Sequence, residues 1–232
     1  MHTLSIDVGA SHLKAAVLDE QGAMVTDRVR VPTPKEMDPE RLLCELTELV
    51  EPLSGYGRVS VGFPGVVLHG RVYSAPLLAP GSFRRFDLAS ALGERLGCPV
   101  RVLNDAAMQG LGVIEGNGVE MVITLGSGLG SALFLDGELG MQMHLVQSRI
   151  RPAPPGGDFG EQALKQIGRE AWSARVKELI VTLRFVTNFD WLYIGGGNSD
   201  KLAFQPEDDV RIMDNVHGIL GGVRLWEGDR FA

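Results

Sequence analysis

Apolar and polar positions along the 232-residue chain change period several times, and the changes outline two similar halves. Residues 4–6 and 15–18 are short apolar runs separated by a turn, and residues 24–31 add a third, so strand spacing predicts a β-meander. A connection carrying Pro32, Pro34 and Pro39 leads into a stretch where Leu42, Leu43, Leu46, Leu49 and Val50 recur at helical spacing. Residues 59–61 read as a short buried strand ending at Gly62-Phe63-Pro64-Gly65, and an irregular stretch covers 74–86. Helical spacing returns over 87–96, strand spacing over 100–103, and a helix is predicted over 106–114 with Asn104-Asp105 at its start. The second half repeats strand, turn, strand over 120–126 and 131–135, followed by an Asp136-Gly137 turn. Residues 148–159 show no period. Two helices are predicted over 160–189, a strand over 191–194, and a last helix over 216–226.

Composition adds one departure from the ordinary, the 30 glycines, which gather in short turns rather than in linkers. A net charge of -7 argues against a nucleic-acid partner, because such domains carry a basic face. No apolar run approaches the ~18 residues that span a bilayer, and the N-terminus does not resemble a signal peptide, so a cytoplasmic protein without a membrane partner is expected. Cys44 and Cys98 have no Cys or His at metal-ligand spacing and are expected to be plain thiols.

Two glycine-bearing turns stand about half the chain apart. Asp7-Val8-Gly9-Ala10-Ser11-His12-Leu13-Lys14 ends the first strand, and Thr124-Leu125-Gly126-Ser127-Gly128-Leu129-Gly130-Ser131-Ala132 breaks the pair in the second half. Such turns run backbone N–H groups past a ligand with no Cβ in the way, which suits phosphate oxygens. An Asp at a strand end can hold Mg2+ through water. The Asp7 turn by itself also fits an ordinary β-turn. The second turn is more specific, since alternating Gly126, Gly128 and Gly130 cost backbone entropy unless something approaches closely. A dinucleotide fingerprint is its rival, but no helix opens on these glycines. Asp105 suits a base for a substrate hydroxyl, with Asn104 beside it on a second hydroxyl, and the same position suits a helix cap. Gly195-Gly196-Gly197-Asn198 would admit a nucleobase or ribose, or would form a tight turn.

In their order along the chain these segments resemble the actin, hexokinase and Hsp70-like ATPase superfold, and within it the ROK sugar kinases, particularly the polyphosphate glucokinase-like branch. Asp7-x-Gly9-Ala10-Ser11-x-x-Lys14 looks like the first phosphate motif, and Gly62-Phe63-Pro64-Gly65 like the sugar-side loop. Leu103-Asn104-Asp105-Ala106 looks like the catalytic segment, and the Thr124 to Gly130 turn like the second phosphate motif. Tyr193-Ile194-Gly195-Gly196-Gly197-Asn198 and Asn215-Val216-His217-Gly218-Ile219-Leu220-Gly221-Gly222 are similar to the nucleotide-side loop and the closing helix. The resemblance implies an α/β, two-lobed ribonuclease H-like (actin-like ATPase) fold with a mixed sheet flanked by helices in each lobe. It implies lobes over 1–104 and 105–232, with the last helix, about 214–226, packing back on the first.

The implied activity is phosphoryl transfer from ATP or polyphosphate to a hexose hydroxyl, with Asp105 as general base. Asn104, Pro64, Gly65 and His144 would hold the sugar. Asp7 would hold Mg2+ through water, and Asp7, Gly9, Ser11, Lys14, Thr124, Gly126, Ser127, Gly128, Gly130, Gly196, Gly197 and Asn198 would hold the donor. A homodimer is the family default. The family's Glu-Leu-Gly-His segment has no counterpart: counting from the Asp136-Gly137 turn puts Met143 or His144 at the Glu position, and Glu138 falls too early. The cysteine cluster of zinc-binding members is missing, so no structural zinc is expected, and a transcriptional repressor of the family with a helix-turn-helix segment ahead of Asp7 is not expected either. The altered acceptor side leaves two alternatives: a sugar- or nucleotide-binding relative that is inactive or weakly active, and an acyl-phosphate or pantothenate-type kinase. Asn104-Asp105 with the Gly-x-Pro-Gly loop favours the sugar branch over the latter.

Overall fold

The computed structural model describes residues 1–141, 145, 157–213 and 217–227. The chain divides into two compact units, Met1–Gly112 with Val216–Ala232, and Val113–Asn215.

In the first unit, strands β1 (Thr3–Val8) and β2 (His12–Leu18) form an antiparallel hairpin, and β3 (Val29–Pro32) continues it at the edge. The strand predicted over 24–31 is shorter than expected: Met24 makes one isolated bridge to Leu18, and only 29–32 pair with β2. Met24 and Val25 are both about half exposed, so burial supplies no reason to extend the ladder through them. Helix α1 (Pro39–Val50) starts where the Asp38 side chain accepts from the Arg41 amide at 2.8 Å and Pro39 opens the first turn. Its stripe Leu42, Leu43, Leu46, Leu49 and Val50 is buried as the periodicity requires.

Strand β4 (Arg58–Phe63) then runs parallel to β1. Strands β5 (Val66–Leu68), β6 (Arg71–Ser74) and β7 (Phe86–Asp87) form a small antiparallel sheet with no counterpart among the predicted elements. Its first turn is His69-Gly70, with both residues at positive φ, instead of the Asn-Gly signature of a two-residue hairpin. Helix α2 (Leu88–Leu96) is capped by Asp87 and closed by Gly97 at φ 69°. Strand β8 (Val100–Asn104) is parallel to β4 and delivers α3 (Asp105–Leu111), which stops at Gly112, short of the predicted end.

The second unit repeats the plan with strands β9 (Val119–Leu125), β10 (Leu129–Leu135) and β11 (Glu138–Leu139), helices α4 (Glu161–Ile167) and α5 (Arg169–Thr187), and strands β12 (Trp191–Gly195) and β13 (Val210–Ile212). Its sheet order, β11-β10-β9-β12-β13, matches β3-β2-β1-β4-β8 of the first unit, with the same antiparallel hairpin beside two parallel strands. The α/β architecture with mixed, helix-flanked sheets is therefore present as expected. Trp172 of α5 is fully buried and its indole N–H donates to the Phe159 carbonyl at 3.0 Å, which anchors the helix layer on this sheet. Helix α6 (His217–Arg224) packs on α3 and β1, where Gly222 brings its carbonyl within 2.5 Å of the Ser60 hydroxyl. No helix among the described residues is long and apolar enough to cross a membrane.

Candidate active site

Adjacent parallel strands end side by side in the first unit. Register places Asp7 opposite Gly62 and Gly62 opposite Leu103, so the Asp7 turn, Pro64-Gly65 and Asn104-Asp105 all leave the carboxyl ends of β1, β4 and β8. Crevices at such strand ends are where open α/β sheets take ligands.

Asn104 is the structural keystone of this end. Its side-chain oxygen accepts from the amides of Ala106 and Ala107 at 3.0 and 3.1 Å, capping α3. Its amide group donates to the Gly65 carbonyl at 3.1 Å and to Asp105 Oδ1 at 3.0 Å. The residue is buried, and both amide hydrogens are spent on the protein. Gly65 meets Asn104 this way because no Cβ fits: one would lie 1.9 Å from the Ser74 carbonyl oxygen. Gly62 has the same kind of reason, since its Cβ would lie 2.8 Å from the end of the Met108 side chain.

Asp105 is half-buried at the first position of α3. Loss of hydration, with the charge of Asp7 as the second cause, pushes its carboxyl up to about 7, against the pull of the Ala106 amide and the Asn104 side chain. A carboxylate poised there exchanges a proton near neutral pH, as a general base must.

The Asp7 turn is held from both sides. Lys14, directly opposite Asp7 across the hairpin, bonds to Asp7 Oδ2 at 2.8 Å. The Gly9 amide donates to the His12 carbonyl at 3.0 Å, an approach that a Cβ on Gly9 would block by coming 2.7 Å from that oxygen. Thr33 fixes the far side, its hydroxyl donating to the Gly9 carbonyl at 2.7 Å and its amide to the Ser11 carbonyl at 3.0 Å. Thr33 was not among the predicted site residues. It lies in a proline-rich connection 24 residues from Gly9, where no spacing points to it.

In the second unit, parallel register sets Thr124 beside Gly195, so the turn after β9 and the triple glycine after β12 are neighbours. Leu125 pairs with Leu129, which leaves Gly126-Ser127-Gly128 as a three-residue turn, and Gly130 pairs with Thr124. Gly196, at φ 88°, lies against the Leu125 backbone so closely that a Cβ would be 2.5 Å from its carbonyl oxygen. Asn198 binds the loop directly, its amide group donating to the Gly126 carbonyl at 3.0 Å while its side-chain oxygen accepts from Lys201 at 2.7 Å. The Glu161 amide, at the start of α4, donates to the same Gly126 carbonyl at 2.9 Å. By contrast, among the described residues nothing lies within 4 Å of a Cβ position on Gly126 or Gly197. Their bare faces are open, as a backbone cradle for an anion requires. The α4 amide had no signal in the sequence, because only the fold brings it to Gly126, and Lys201 reaches the site through Asn198, three residues before it.

The structure thus assembles Asp7, Gly9, Ser11, Lys14, Pro64, Gly65, Asn104 and Asp105 at one sheet end of the first unit. It assembles Thr124, Gly126, Ser127, Gly128, Gly130, Gly196, Gly197 and Asn198 at the equivalent end of the second. His144 lies outside the described residues. Among the described residues no cluster of three or more His, Cys, Asp or Glu forms a metal cage. Asp7 nevertheless fits Mg2+ chemistry, which uses one or two carboxylates and completes its shell with water and substrate phosphates.

Comparison with known proteins follows the same lines. A polyphosphate glucokinase of Mycobacterium tuberculosis is 29% identical over 95% of this chain and 89% of its own length. An N-acetylmannosamine kinase of Escherichia coli is 31% identical over 67% of this chain and 56% of its own length. Among solved structures, the inorganic polyphosphate/ATP-glucomannokinase of Arthrobacter sp. strain KM superposes with a TM-score of 0.86 at 28% identity, covering 96% of this chain and 97% of that one. A ROK family glucokinase from Streptomyces griseus shares the fold, with a TM-score of 0.77 at 18% identity over 97% and 99% of the two chains. With the sequence model of the ROK family matching residues 3–144, more than half its length, the chain belongs to the ROK family.

Proposed function

We propose that the protein is a hexose kinase that transfers a terminal phosphoryl group from ATP or inorganic polyphosphate to a sugar hydroxyl. Its sugar-kinase relatives support the reaction class. The observation that carries the reading is the setting of Asp105: a carboxyl at a parallel-strand end, half-buried, held by the Asn104 amide and raised to about 7. In its ionised form it takes the proton of the attacking hydroxyl. Asn104 positions that carboxylate and Gly65, and in doing so shapes the acceptor side through the backbone. The open glycine faces at Gly126 and Gly197 receive donor phosphates. Mg2+ held by Asp7 and the donor would neutralise charge on the phosphates.

The test is a coupled assay over a panel of monosaccharides with ATP and with polyphosphate, run on the parent and on Asp105→Asn. The variant is expected to lose about 10²- to 10⁴-fold in kcat. The acidic limb of the parent's kcat/KM profile is expected near pH 7, with activity rising as the carboxyl ionises. Undiminished turnover in the variant would remove Asp105 from the role of base. The missing Glu in residues 141–147 gives the test a second arm: saturable sugar binding without turnover on any sugar would replace catalysis with ligand binding.

A further inference from the structure

Three residues on one face of the first sheet, the cations Lys14 and Arg30 and the imidazole of His12, make a row of donors of which the family resemblance assigned only Lys14 to the phosphate donor. Lys14 lies directly opposite Asp7 on one side and directly opposite Arg30 on the other, so Asp7, Lys14 and Arg30 line up across β1, β2 and β3. Residues opposite each other on neighbouring strands share a face, and His12, two residues from Lys14, shares it too. The side chains confirm the geometry: Lys14 bonds to Asp7 at 2.8 Å, and Arg30 Nη2 lies 3.1 Å from His12 Nδ1. Two like charges directly opposite destabilise a strand pair. Here the only carboxylate bonded to the row, among the described residues, is Asp7, on the far side of Lys14 from Arg30.

The row is also built into the first glycine turn. Thr33 follows β3 immediately and binds the carbonyls of Gly9 and Ser11, so the edge strand that carries Arg30 also holds the turn. With Arg30 donating to Nδ1, His12 keeps its proton on Nε2 as a further donor. His12 is held below its ordinary pKa by lost hydration and then by Arg30 and Lys14, in keeping with a site short of negative charge. Lys14 and Arg30 stand one strand spacing apart, about 4.8 Å, and His12 lies two residues, about 6.7 Å, along β2 from Lys14, a spread wider than one phosphate needs.

We infer that His12, Lys14 and Arg30 bind successive phosphates of an oligophosphate chain, continuing outward from the Asp7 turn to the edge of the sheet. The inference rests on the reading of that turn as a donor-phosphate site. The shared chemistry is a run of linked phosphates, carried either by a nucleoside triphosphate or by an inorganic chain. Arg30 supplies a planar fork for phosphate oxygens, and His12 and Lys14 supply single donors.

The experiment is equilibrium calorimetry on the full chain with orthophosphate, pyrophosphate, tripolyphosphate, AMP and ATP, repeated on Arg30→Gln, on Arg30→Lys and on Arg84→Gln as a matched loss of surface charge. Affinity is expected to rise from orthophosphate to tripolyphosphate. Arg30→Gln should weaken tripolyphosphate about tenfold or more, Arg30→Lys should recover part of the loss, and Arg84→Gln should match the parent. If ATP weakens in parallel, the row holds nucleotide phosphates; if only tripolyphosphate weakens, it holds an inorganic chain. Equal tripolyphosphate binding by the parent and Arg30→Gln overturns the inference and leaves Arg30 as a charge that keeps other strands off the sheet edge. This readout needs no turnover. Loss of turnover with the Arg30 effect intact would therefore sink the kinase reading alone, and the reverse would sink the row alone.

Discussion

The two glycine turns occupy equivalent places in sheets of the same strand order, yet they are built from different chemistry. The Asp7 turn is charged and internally braced, with an ion pair across its base and Thr33 on its far side. The Gly126 turn carries no charge of its own. It is braced from outside by Asn198 and the α4 amide, and its open face is bare backbone. One topology therefore yields a turn that carries an ion pair, and another whose side chains are uncharged hydroxyls beside bare backbone. A similar contrast separates two carboxylates, the buried Glu120 and the half-buried Asp105. Glu120 of the second unit accepts the amides of Glu115, Gly116 and Asn117 and the Tyr193 hydroxyl, so its lone pairs are spent on structure. Asp105 is raised to about 7 because its partners do not make up for lost hydration beside Asp7.

The comparison is broken most severely at the glycines. Gly196→Ala should place a Cβ against the Leu125 backbone at positive φ and cost more than about 3 kcal/mol, seen as a large fall in thermal midpoint. Gly126→Ala should stay within about 0.5 kcal/mol of the parent in the same melt, because among the described residues no atom lies within 4 Å of the added Cβ, and under the proposed donor role it should raise the donor KM. An equal loss of stability in both would mean that the Gly126 face is packed against protein as the Gly196 face is. The two asparagines are the next test. Asn104→Ala removes a double cap and the bond to Gly65 and should cost about 2 kcal/mol, while Asn198→Ala should cost about 1 kcal/mol by denaturant unfolding.

The remaining tests come from titration. The raised carboxyl of Asp105 means that the folded protein binds the proton more tightly than the unfolded chain. Its contribution to stability is therefore lost as pH rises from about 4 to 7. Asp105→Asn should then be the more stable protein at pH 8, by a few degrees, with the gap narrowing at pH 5. Asp7→Asn, titrated without metal and followed by carboxyl NMR, should lower the pKa of Asp105 by removing the second cause of its rise.

Much of this was legible in the chain itself. The α1 stripe, the Asp136-Gly137 turn, the strands that deliver Asp105 and Gly126, and the order of the glycine motifs all follow from local spacing and backbone sterics, which neighbouring residues dictate by themselves. The β5-β6 hairpin escaped because His69-Gly70 lacks the usual turn signature, and residues 24–28 misled because apolar residues at strand spacing need a buried face to pair. Asn104 was readable as a sugar ligand or a helix cap, and only the fold shows its donors turned to Gly65 and Asp105. The same holds for Thr33 at the Asp7 turn, the α4 amide at Gly126 and Arg30 beside Lys14. Each pair is remote in sequence or tied by strand register, and hydrogen bonds and charge act over ångströms in space, a distance that sequence spacing does not measure.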